Sequence, residues 1–331
     1  MATLKDIAQR AGVTATTVSR VINNRGYISE GTRKKVYAAM EEMHYQPNEL
    51  ARAFSKQYTN TIGLIVPHIS HPFFIKVISN LESSAAEKGF KLLLCNSKEQ
   101  PEKEQDYLDM CISNRVAGIV LCSKYVQTRE FRKMNIPVVN LERGGDDDTI
   151  SVQCDNYQGG KLAAEHLIEC GCKNLLHFGG VAGKDMPADR RADGFSDVCK
   201  KAGIPYRILV SDRLQYGSMH YEDFIRRALQ EFPDVDGIFA SSDLIASQVI
   251  QVGAQMGKRV PEDIQLIGFD DVMISTVTTP QITTIHQPVE EMTELCVEYI
   301  AKSLKNGSVP QKIVLPVRLV QRGTTVLKTE I

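Results

Sequence analysis

The sequence predicts a mixed α/β protein, in which a small all-α segment at the N-terminus precedes a larger body built on doubly wound parallel sheets. The first observation is the length of 331 residues, which exceeds one ordinary domain. The second is a change of pattern at Thr61, where helical spacing gives way to short apolar runs alternating with helix-length segments. Such alternation is typical of parallel sheets covered by helices on both faces.

The composition is that of an ordinary globular protein, with 43% apolar and 24% charged residues. No stretch approaches the roughly 20 apolar residues of a membrane helix, and the N-terminus lacks a secretory signal pattern, so we expect a cytoplasmic protein with no membrane partner. None of the eight cysteines forms a CxxC pair, and the lone CxC of Cys170 and Cys172 lacks a second half. We therefore expect reduced, mostly buried thiols, no metal and no cofactor.

Charge is distributed unevenly along the chain. Residues 1–60 contain nine Lys and Arg against five acidic residues, a net charge of +4, whereas the remaining residues carry −5. A basic head joined to an acidic body indicates a polyanion-binding module attached to a domain that does not bind polyanions.

The basic segment contains three predicted helices. Thr3, with an acidic residue three positions on, has the spacing of a capping box, and Gly12 supplies the positive φ that ends the first helix. Thr14 is the next N-cap candidate, for a second helix over 15–23, and a third helix is expected over 32–44. Helix, short glycine turn and helix form the helix-turn-helix pattern.

In a helix-turn-helix, the second helix enters the major groove of DNA with its N-terminal residues against the base edges. Arg20 can pair bidentately with guanine, Thr16 offers a hydroxyl and a methyl, and Ala15 offers apolar contact, for example to a thymine methyl. An ordinary solvated helix face remains the alternative. Phosphate contacts are expected from Arg10, Arg33, Lys34 or Arg52. The predicted DNA-contacting residues of the head are Thr3, Thr14, Ala15, Thr16, Thr17, Ser19, Arg20, Asn23, Ser29 and Thr32.

The stretches TLKDIAQRAGVTATTVSRVIN and YQPNELARAF resemble the N-terminal region of the LacI/GalR (lactose-repressor) family of bacterial transcription regulators. The resemblance is dense across residues 3–56 and continues to about residue 325. It implies a repressor that binds pseudo-palindromic double-stranded operator DNA under the control of a small-molecule effector, most often an inducer. The chain lacks the apolar heptads that would tie two dimers together, so a homodimer is expected.

In that family the segment matching residues 48–55 is a hinge helix, which orders on DNA and inserts an apolar side chain into the minor groove at the central base step. Leucine is usual there, whereas this sequence has Phe54, a larger wedge of a kind that kinks duplexes. Packing of Phe54 onto the head remains the alternative. The resemblance implies DNA contacts by Asn48, Ala51, Arg52 and Phe54.

From Thr61 onward the pattern predicts eight strands with helices between them, one of these helices spanning 218–233. This is more than one open sheet readily holds, so two lobes are expected. The resemblance implies a periplasmic-binding-protein-like pair of lobes joined by three crossovers. The predicted division is a head at 1–46, a hinge and linker at 47–60, an N-terminal lobe at 61–159 with 288–318, and a C-terminal lobe at 160–287 with 319–327.

Ligands of open parallel sheets bind beyond the carboxyl ends of the strands. The segments at these positions supply aromatic rings, carboxylates and arginines, which suit a polyhydroxylated ligand such as a sugar or sugar phosphate. The resemblance adds Arg191 and Gln287, and it places Ser242 where many sugar-responsive members carry asparagine. The predicted effector-binding residues are His68, Phe73, Phe74, Arg143, Asp155, Arg191, Ser242, Asp270 and Gln287.

Several alternatives remain open. The two phenylalanines could simply fill the core, and Asp155 and Asp270 could cap backbone amides. Some members of the family answer to a purine corepressor or to a phosphoprotein partner. An enzyme with a DNA-binding head is disfavoured, and no catalytic residue is predicted, because the sequence has no GxSxG, HExxH or GxGxxG motif and its seven histidines are scattered.

Overall fold

The computed structural model describes residues 2–23, 25–45, 58–123, 125, 136–144, 149–181 and 186–327. The chain divides into two compact units, Met1–Asn60 and Thr61–Ile331. The predicted hinge residues Asn48, Ala51, Arg52 and Phe54 lie outside the described residues. Within the described ranges, no helix has both the length and the apolar character needed to cross a membrane.

The first unit contains helices α1 (Leu4–Ala11), α2 (Ala15–Ile22) and α3 (Glu30–Glu42). Their core is small and fully buried, and it consists mainly of Ile7, Val18, Val21 and Val36.

Local capping explains the helix ends of this unit. Thr3 forms the predicted capping box, and Gly12 ends α1 at φ 64°. The prediction for the third helix is wrong at both ends. Ser29 is the N-cap, so α3 begins at Glu30, and the helix ends at Glu42 because His44 adopts the left-handed φ of 46°.

The described residues of the second unit form two six-stranded sheets. The first sheet has the order β11-β5-β4-β3-β1-β2, and all of its neighbouring strands are parallel. Its strands are β1 (Thr61–Val66), β2 (Lys91–Asn96), β3 (Gly118–Leu121), β4 (Val138–Leu141), β5 (Ile150–Cys154) and β11 (Lys312–Leu315). Its helices are α4 (Pro72–Glu87), α5 (Pro101–Ser113) and α12 (Val289–Ser303).

The second sheet has the order β12-β10-β9-β8-β6-β7, in which only the β10–β12 pair is antiparallel among the described strands. Its strands are β6 (Leu175–Val181), β7 (Tyr206–Ser211), β8 (Gly237–Ala240), β9 (Gln265–Asp270), β10 (Thr283–His286) and β12 (Arg318–Val320). Its helices are α6 (Asn156–Glu169), α7 (Arg190–Ala202), α8 (Arg213–Ser218), α9 (Glu222–Glu231), α10 (Asp243–Gln255) and α11 (Ile274–Val277).

The chain passes between the two sheets three times, after β5, after β10 and after β11. The four short strands next to these passages, β5, β10, β11 and β12, are absent from the sequence prediction. The predicted helix over 218–233 is confirmed over Glu222–Glu231, as α9, and is wrong at both ends. Met219 adopts a left-handed φ of 60°, which ends α8 at Ser218 and separates it from α9.

Helices α6 and α7 approach each other closely at two glycines. A Cβ atom on Gly160 would lie 1.9 Å from the main-chain oxygen of Arg191, and one on Gly194 would lie 2.0 Å from that of Tyr157. Any larger residue at either position would therefore force the two helices apart.

All eight cysteines are buried, as predicted, and the structure shows no disulfide between them.

Candidate functional site

One face of α2 is polar and exposed. Thr14 caps this helix, accepting a hydrogen bond from Thr17 N at 3.1 Å. Thr14, Thr16 and Arg20 are exposed, whereas Val18 and Val21 are buried on the other side. This arrangement leaves Arg20 available to a base edge, as the helix-turn-helix geometry requires.

Several other predicted DNA-contacting residues have local structural roles. Ser29 Oγ caps α3 through Thr32 N at 3.3 Å, and the Asn23 side-chain amide donates to Ser19 O at 2.9 Å. Caps at helix N-termini also suit phosphate binding, since the free amides and the helix dipole favour an anion.

Two side chains of the head show features that the sequence analysis did not predict. Arg10 forms a bidentate ion pair with Glu42, with its Nε 2.9 Å from the carboxylate, so this guanidinium joins α1 to α3. Because this ion pair is exposed, as is the 3.6 Å pair of Lys34 with Glu30, phosphate contacts by Arg10, Arg33 and Lys34 all stay predictions. Tyr27, in the loop before α3, is 99% exposed and was not predicted.

In the second unit, a cavity of about 130 Å³ lies at the carboxyl ends of strands from both sheets. We call it the cleft. Residues after β1 and β4 line it from the first sheet. From the second sheet, it is lined by residues at the carboxyl ends of β6, β7 and β9 and by residues after β6, β7, β8 and β10. Its lining residues are His71, Phe73, Phe74, Glu142, Gly179, Gly180, Ala188, Arg191, Ser211, Tyr216, Tyr221, Ser241, Ser242, Ile245, Asp270 and Gln287.

Arg191 is the one arginine or lysine among the described lining residues. It is 6% exposed, and its guanidinium carbon lies 3.5 Å from the centre of the Phe269 ring. Its Nε donates to Asn156 Oδ1 at 2.7 Å, and its Nη1 donates to the main-chain oxygen of Ser241 at 2.6 Å. The remaining guanidinium donors are available to a ligand.

Asp270 and Gln287 form a buried pair beside this cation. Gln287 Nε2 donates to Asp270 Oδ1 at 2.6 Å, and Gln287 Oε1 is buried without a hydrogen-bond partner among the described residues. Burial raises the pKa of Asp270 to about 7, and Arg191 and Gln287 oppose that rise. The pair therefore offers acceptors to a ligand that donates hydrogen bonds.

Aromatic rings from the two sheets meet at the cleft. Phe73 and Phe74 are buried with their ring centres 5.2 Å apart. Tyr216, from α8, packs against His68 at 5.4 Å and against His71 at 6.4 Å. Burial lowers the pKa of His71 to about 4, and His68 and Arg191 add to that effect.

One direct hydrogen bond joins α4 of the first sheet to the loop that follows β9. Lys76 Nζ donates to the main-chain oxygen of Asp271 at 3.0 Å. Asp271 directly follows the cleft residue Asp270, and its carboxylate contacts Arg322 and His286 at 2.6 and 2.8 Å.

The structure places six of the nine predicted effector residues around the cleft, namely Phe73, Phe74, Arg191, Ser242, Asp270 and Gln287. Three lie elsewhere. Asp155 caps α6 through Gln158 N at 2.9 Å. Arg143 is buried and donates to Asn140 Oδ1 at 3.0 Å. His68 lies behind the lining and contacts Tyr216.

Sequence reasoning missed Tyr216 and Tyr221 as cleft residues. Tyr216 lies on α8, whose capping box of Asp212 and Gln215 was a readable signal. Tyr221 carries no such local signal, because its burial depends on the packing of α9 against α10.

Comparison with known proteins extends these observations. A family model described as bacterial regulatory proteins, lacI family, matches residues 3–48, and one described as a periplasmic binding protein-like domain matches residues 164–325. The ribose operon repressor of Halalkalibacterium halodurans is 33% identical over 326 residues, covering 98% of this chain and 97% of the relative. The transcriptional repressor PurR of Erwinia tasmaniensis is 36% identical over 304 residues, covering 89% and 88%.

A crystal structure of the lac repressor dimer bound to operator and the anti-inducer ONPF superposes with a TM-score of 0.82. It is 25% identical, and the alignment covers 98% of this chain and 99% of that one. Relatives of this kind are transcriptional repressors and not enzymes. The protein is a DNA-binding transcriptional regulator and belongs to the lacI family of bacterial regulatory proteins.

Proposed function

We propose that the protein is a cytoplasmic, homodimeric repressor of carbohydrate-use genes, whose operator affinity is set by a free, uncharged sugar in the cleft. The observation that carries this proposal is the composition of the cleft. Phe73 and Phe74 share one cavity with Arg191, Asp270 and Gln287. Aromatic rings stack on the C–H face of a sugar, while charged and amide groups bind its hydroxyls.

Charge favours a free sugar over a sugar phosphate. Apart from histidine and tyrosine, three ionisable residues line the cleft, namely Glu142, Arg191 and Asp270. Both carboxylate oxygens of Glu142 and two of the Arg191 donors already have partners within the protein. A phosphate would therefore lie beside two carboxyl groups, and the positive charge near it would be part of one guanidinium and the more distant ammonium of Lys76, which lies outside the lining. Like charges in a buried site repel strongly.

Size favours a monosaccharide. A cavity of about 130 Å³ is close to the roughly 150 Å³ that holds one small ring such as benzene, so a single sugar ring suits it better than two. The ribose operon repressor relative makes D-ribose the first compound to test.

On the DNA side, we infer that two heads read half-sites of a pseudo-palindrome, with α2 of each head in a major groove. Phe54 of the hinge segment would act as the minor-groove wedge. We propose a head at 1–46 and a linker at 47–60. We further propose lobes at 61–155 with 289–315 and at 156–286 with 318–327, and the membership of the strands in the two sheets supports this division.

Ligand binding would change the angle between the two lobes and thereby the spacing of the paired hinge segments. Coupling of this kind requires different ligand affinities in two states, typically ~1–3 kcal/mol. We propose that the sugar is an inducer, which weakens binding of the repressor to its operator.

Calorimetric titration with D-ribose, ribose 5-phosphate, sucrose and guanine tests the ligand class. Fluorescence anisotropy on an inverted-repeat duplex and on a scrambled duplex, with and without each compound, tests the coupling. We expect D-ribose to bind and to weaken binding to the inverted repeat only. Binding of ribose 5-phosphate in preference to D-ribose would contradict the charge argument.

A purine corepressor is the second candidate. It is favoured by the presence of Tyr216 and Tyr221 in the same cavity as two phenylalanines, because a flat heterocycle suits aromatic walls. Saturable binding of guanine that strengthens operator binding would select this candidate.

A further inference from the structure

A buried chain of hydrogen bonds leads from Glu142 to the cation of the cleft. Glu142 Oε2 accepts from Asn156 Nδ2 at 2.9 Å, and Asn156 Oδ1 accepts from Arg191 Nε at 2.7 Å. The other oxygen of Glu142 accepts from the main-chain amide of Cys154. The side chains of Glu142, Asn156 and Arg191 are buried, with exposed fractions of 9%, 3% and 6%.

This chain of hydrogen bonds crosses from one lobe to the other. Glu142 directly follows β4 of the first sheet and adopts a left-handed φ of 49°. Asn156 is the first residue of α6, which packs on the second sheet, and Arg191 lies at the start of α7. The amide of Asn156 therefore stands at the first passage between the sheets.

The two helices that carry Asn156 and Arg191 are fixed relative to each other. Gly160 and Gly194 bring α6 and α7 into main-chain contact, at positions one turn from these two residues. The separation of Asn156 from Arg191 is thus set by helix packing, whereas the orientation of the guanidinium is set by the hydrogen bond to its Nε.

We propose that Asn156 is a positioning residue of the ligand site, which holds the Arg191 guanidinium toward the cleft by linking it to Glu142 of the other lobe. The inference rests on the proposed function, in which Arg191 binds the sugar. Asn156 accepts from Nε, Ser241 accepts from Nη1, and the guanidinium lies over the Phe269 ring. These three contacts fix the plane of the guanidinium and therefore the direction of its remaining N–H groups.

The hydrogen bonds from Glu142 to Arg191 require an amide side chain at position 156. Asparagine donates to the carboxylate of Glu142 and accepts from Arg191 at the same time. An aspartate at this position would bring two carboxylates, its own and that of Glu142, into contact without a hydrogen between them. An alanine would remove one hydrogen-bond partner from Glu142 and one from Arg191, both of which are buried. A reciprocal exchange, Glu142→Gln with Asn156→Asp, restores a donor-to-acceptor contact at both links.

The first experiment reads the guanidinium directly, without ligand. In full-length protein labelled with ¹⁵N-arginine, the Nε–H signal of Arg191 is assigned by its loss in Arg191→Lys. Asn156→Ala and Asn156→Asp should each shift this signal and speed its exchange with water, and the reciprocal exchange should restore slow exchange. Asn140→Ala is the matched control, because this buried asparagine holds Arg143, which does not line the cleft. An unchanged Arg191 signal in Asn156→Ala would overturn the inference.

The second experiment is a titration of the same variants with D-ribose. Asn156→Ala should weaken binding roughly tenfold, the usual loss on removing a hydrogen bond to a charged group. In an Arg191→Lys background, which lacks the Nε donor, Asn156→Ala should add little further loss. The reciprocal exchange should recover most of the affinity.

The outcomes separate the two proposals. If D-ribose does not bind the wild type, or Arg191→Lys leaves its binding unchanged, the sugar site is wrong, while the arginine signal still decides whether Asn156 orients Arg191. If Arg191→Lys weakens binding but the effect of Asn156→Ala is absent or fully additive to it, the positioning role is wrong. Should Asn156→Ala fail to fold, Asn156→Asp and its rescue by Glu142→Gln provide the same test.

Discussion

The head and the cleft use polar residues in opposite ways. On the head, the hydroxyls of Thr3, Thr14 and Ser29 are exposed and bond to partners three residues along the chain. In the cleft, Arg191 and Asp270 are buried, and their partners lie 35 and 17 residues away. The polar residues of the head can therefore be substituted one at a time, because each depends on its neighbours in the same helix. The buried residues of the cleft depend on the packing of the whole second unit.

The largest effect is expected from Arg191→Ala. Loss of the cation from a buried network should weaken binding of D-ribose by roughly 100-fold or more, since removal of one partner from a buried charge contact costs several kcal/mol. Calorimetry measures this loss. Operator affinity without ligand should not change, and neither property should change in the exposed control Arg259→Ala. A parallel loss of DNA binding in Arg191→Ala would break the separation between the two regions.

Arg20→Ala should affect only the head. A lost bidentate guanine contact typically costs ~1–3 kcal/mol, or roughly 10- to 100-fold in binding of the inverted-repeat duplex. Binding of a scrambled duplex should change much less, and binding of D-ribose should be unaffected. Lys35→Ala, also exposed, is the charge control. Equal losses on both duplexes would make Arg20 a phosphate contact instead.

The pH dependence of sugar binding should come from the cleft. Because the pKa of Asp270 is about 7 and sugar hydroxyls donate to its carboxylate form, the ligand must displace the proton at lower pH. Affinity for D-ribose should therefore rise as pH increases through 7, by roughly tenfold between pH 6 and pH 8. Asp270→Asn should flatten this profile in titrations across that range. A profile that falls with pH would mean that the protonated carboxyl binds the ligand.

The smallest effect is expected from Thr14→Ala. Loss of an N-cap costs about 1 kcal/mol, which should appear as faster hydrogen exchange of the α2 amides and no change in the second unit. Thr16→Ala is the matched control, because Thr16 is exposed on the same helix and is not its cap. Equal exchange rates in the two variants would contradict a capping role.

The same contrast explains what could be predicted from the sequence. The capping box at Thr3 and the end of α1 at Gly12 follow from neighbouring residues, so the spacing alone was enough. Strands β5, β10, β11 and β12 have three to five residues each. Length is not the reason, because β3 and β8 are equally short and were predicted. The four missed strands mix polar with apolar residues (ISVQC, TTIH, KIVL and RLV), so they lack the continuous apolar run that marks β3 and β8 in the sequence.

The cleft was only partly readable for a related reason. Topology assigns a loop to the carboxyl end of a strand, so Phe73 and Asp270 could be placed at the site from their positions alone. It does not say whether a side chain turns inward. Asp155 instead caps α6, and Arg143 instead binds Asn140. The partnership of Asn156 with Arg191 requires two helices to meet at glycines, and neither segment signals this by itself.

The contact between Lys76 and the main-chain oxygen of Asp271 has an evolutionary consequence. An ion pair can be lost by mutation at either end, but every amino acid supplies a carbonyl. A substitution at position 271 therefore leaves this acceptor in place, but it removes the carboxylate that contacts Arg322 and His286. A change at Lys76, or chemical neutralisation of its ammonium group, removes the link itself.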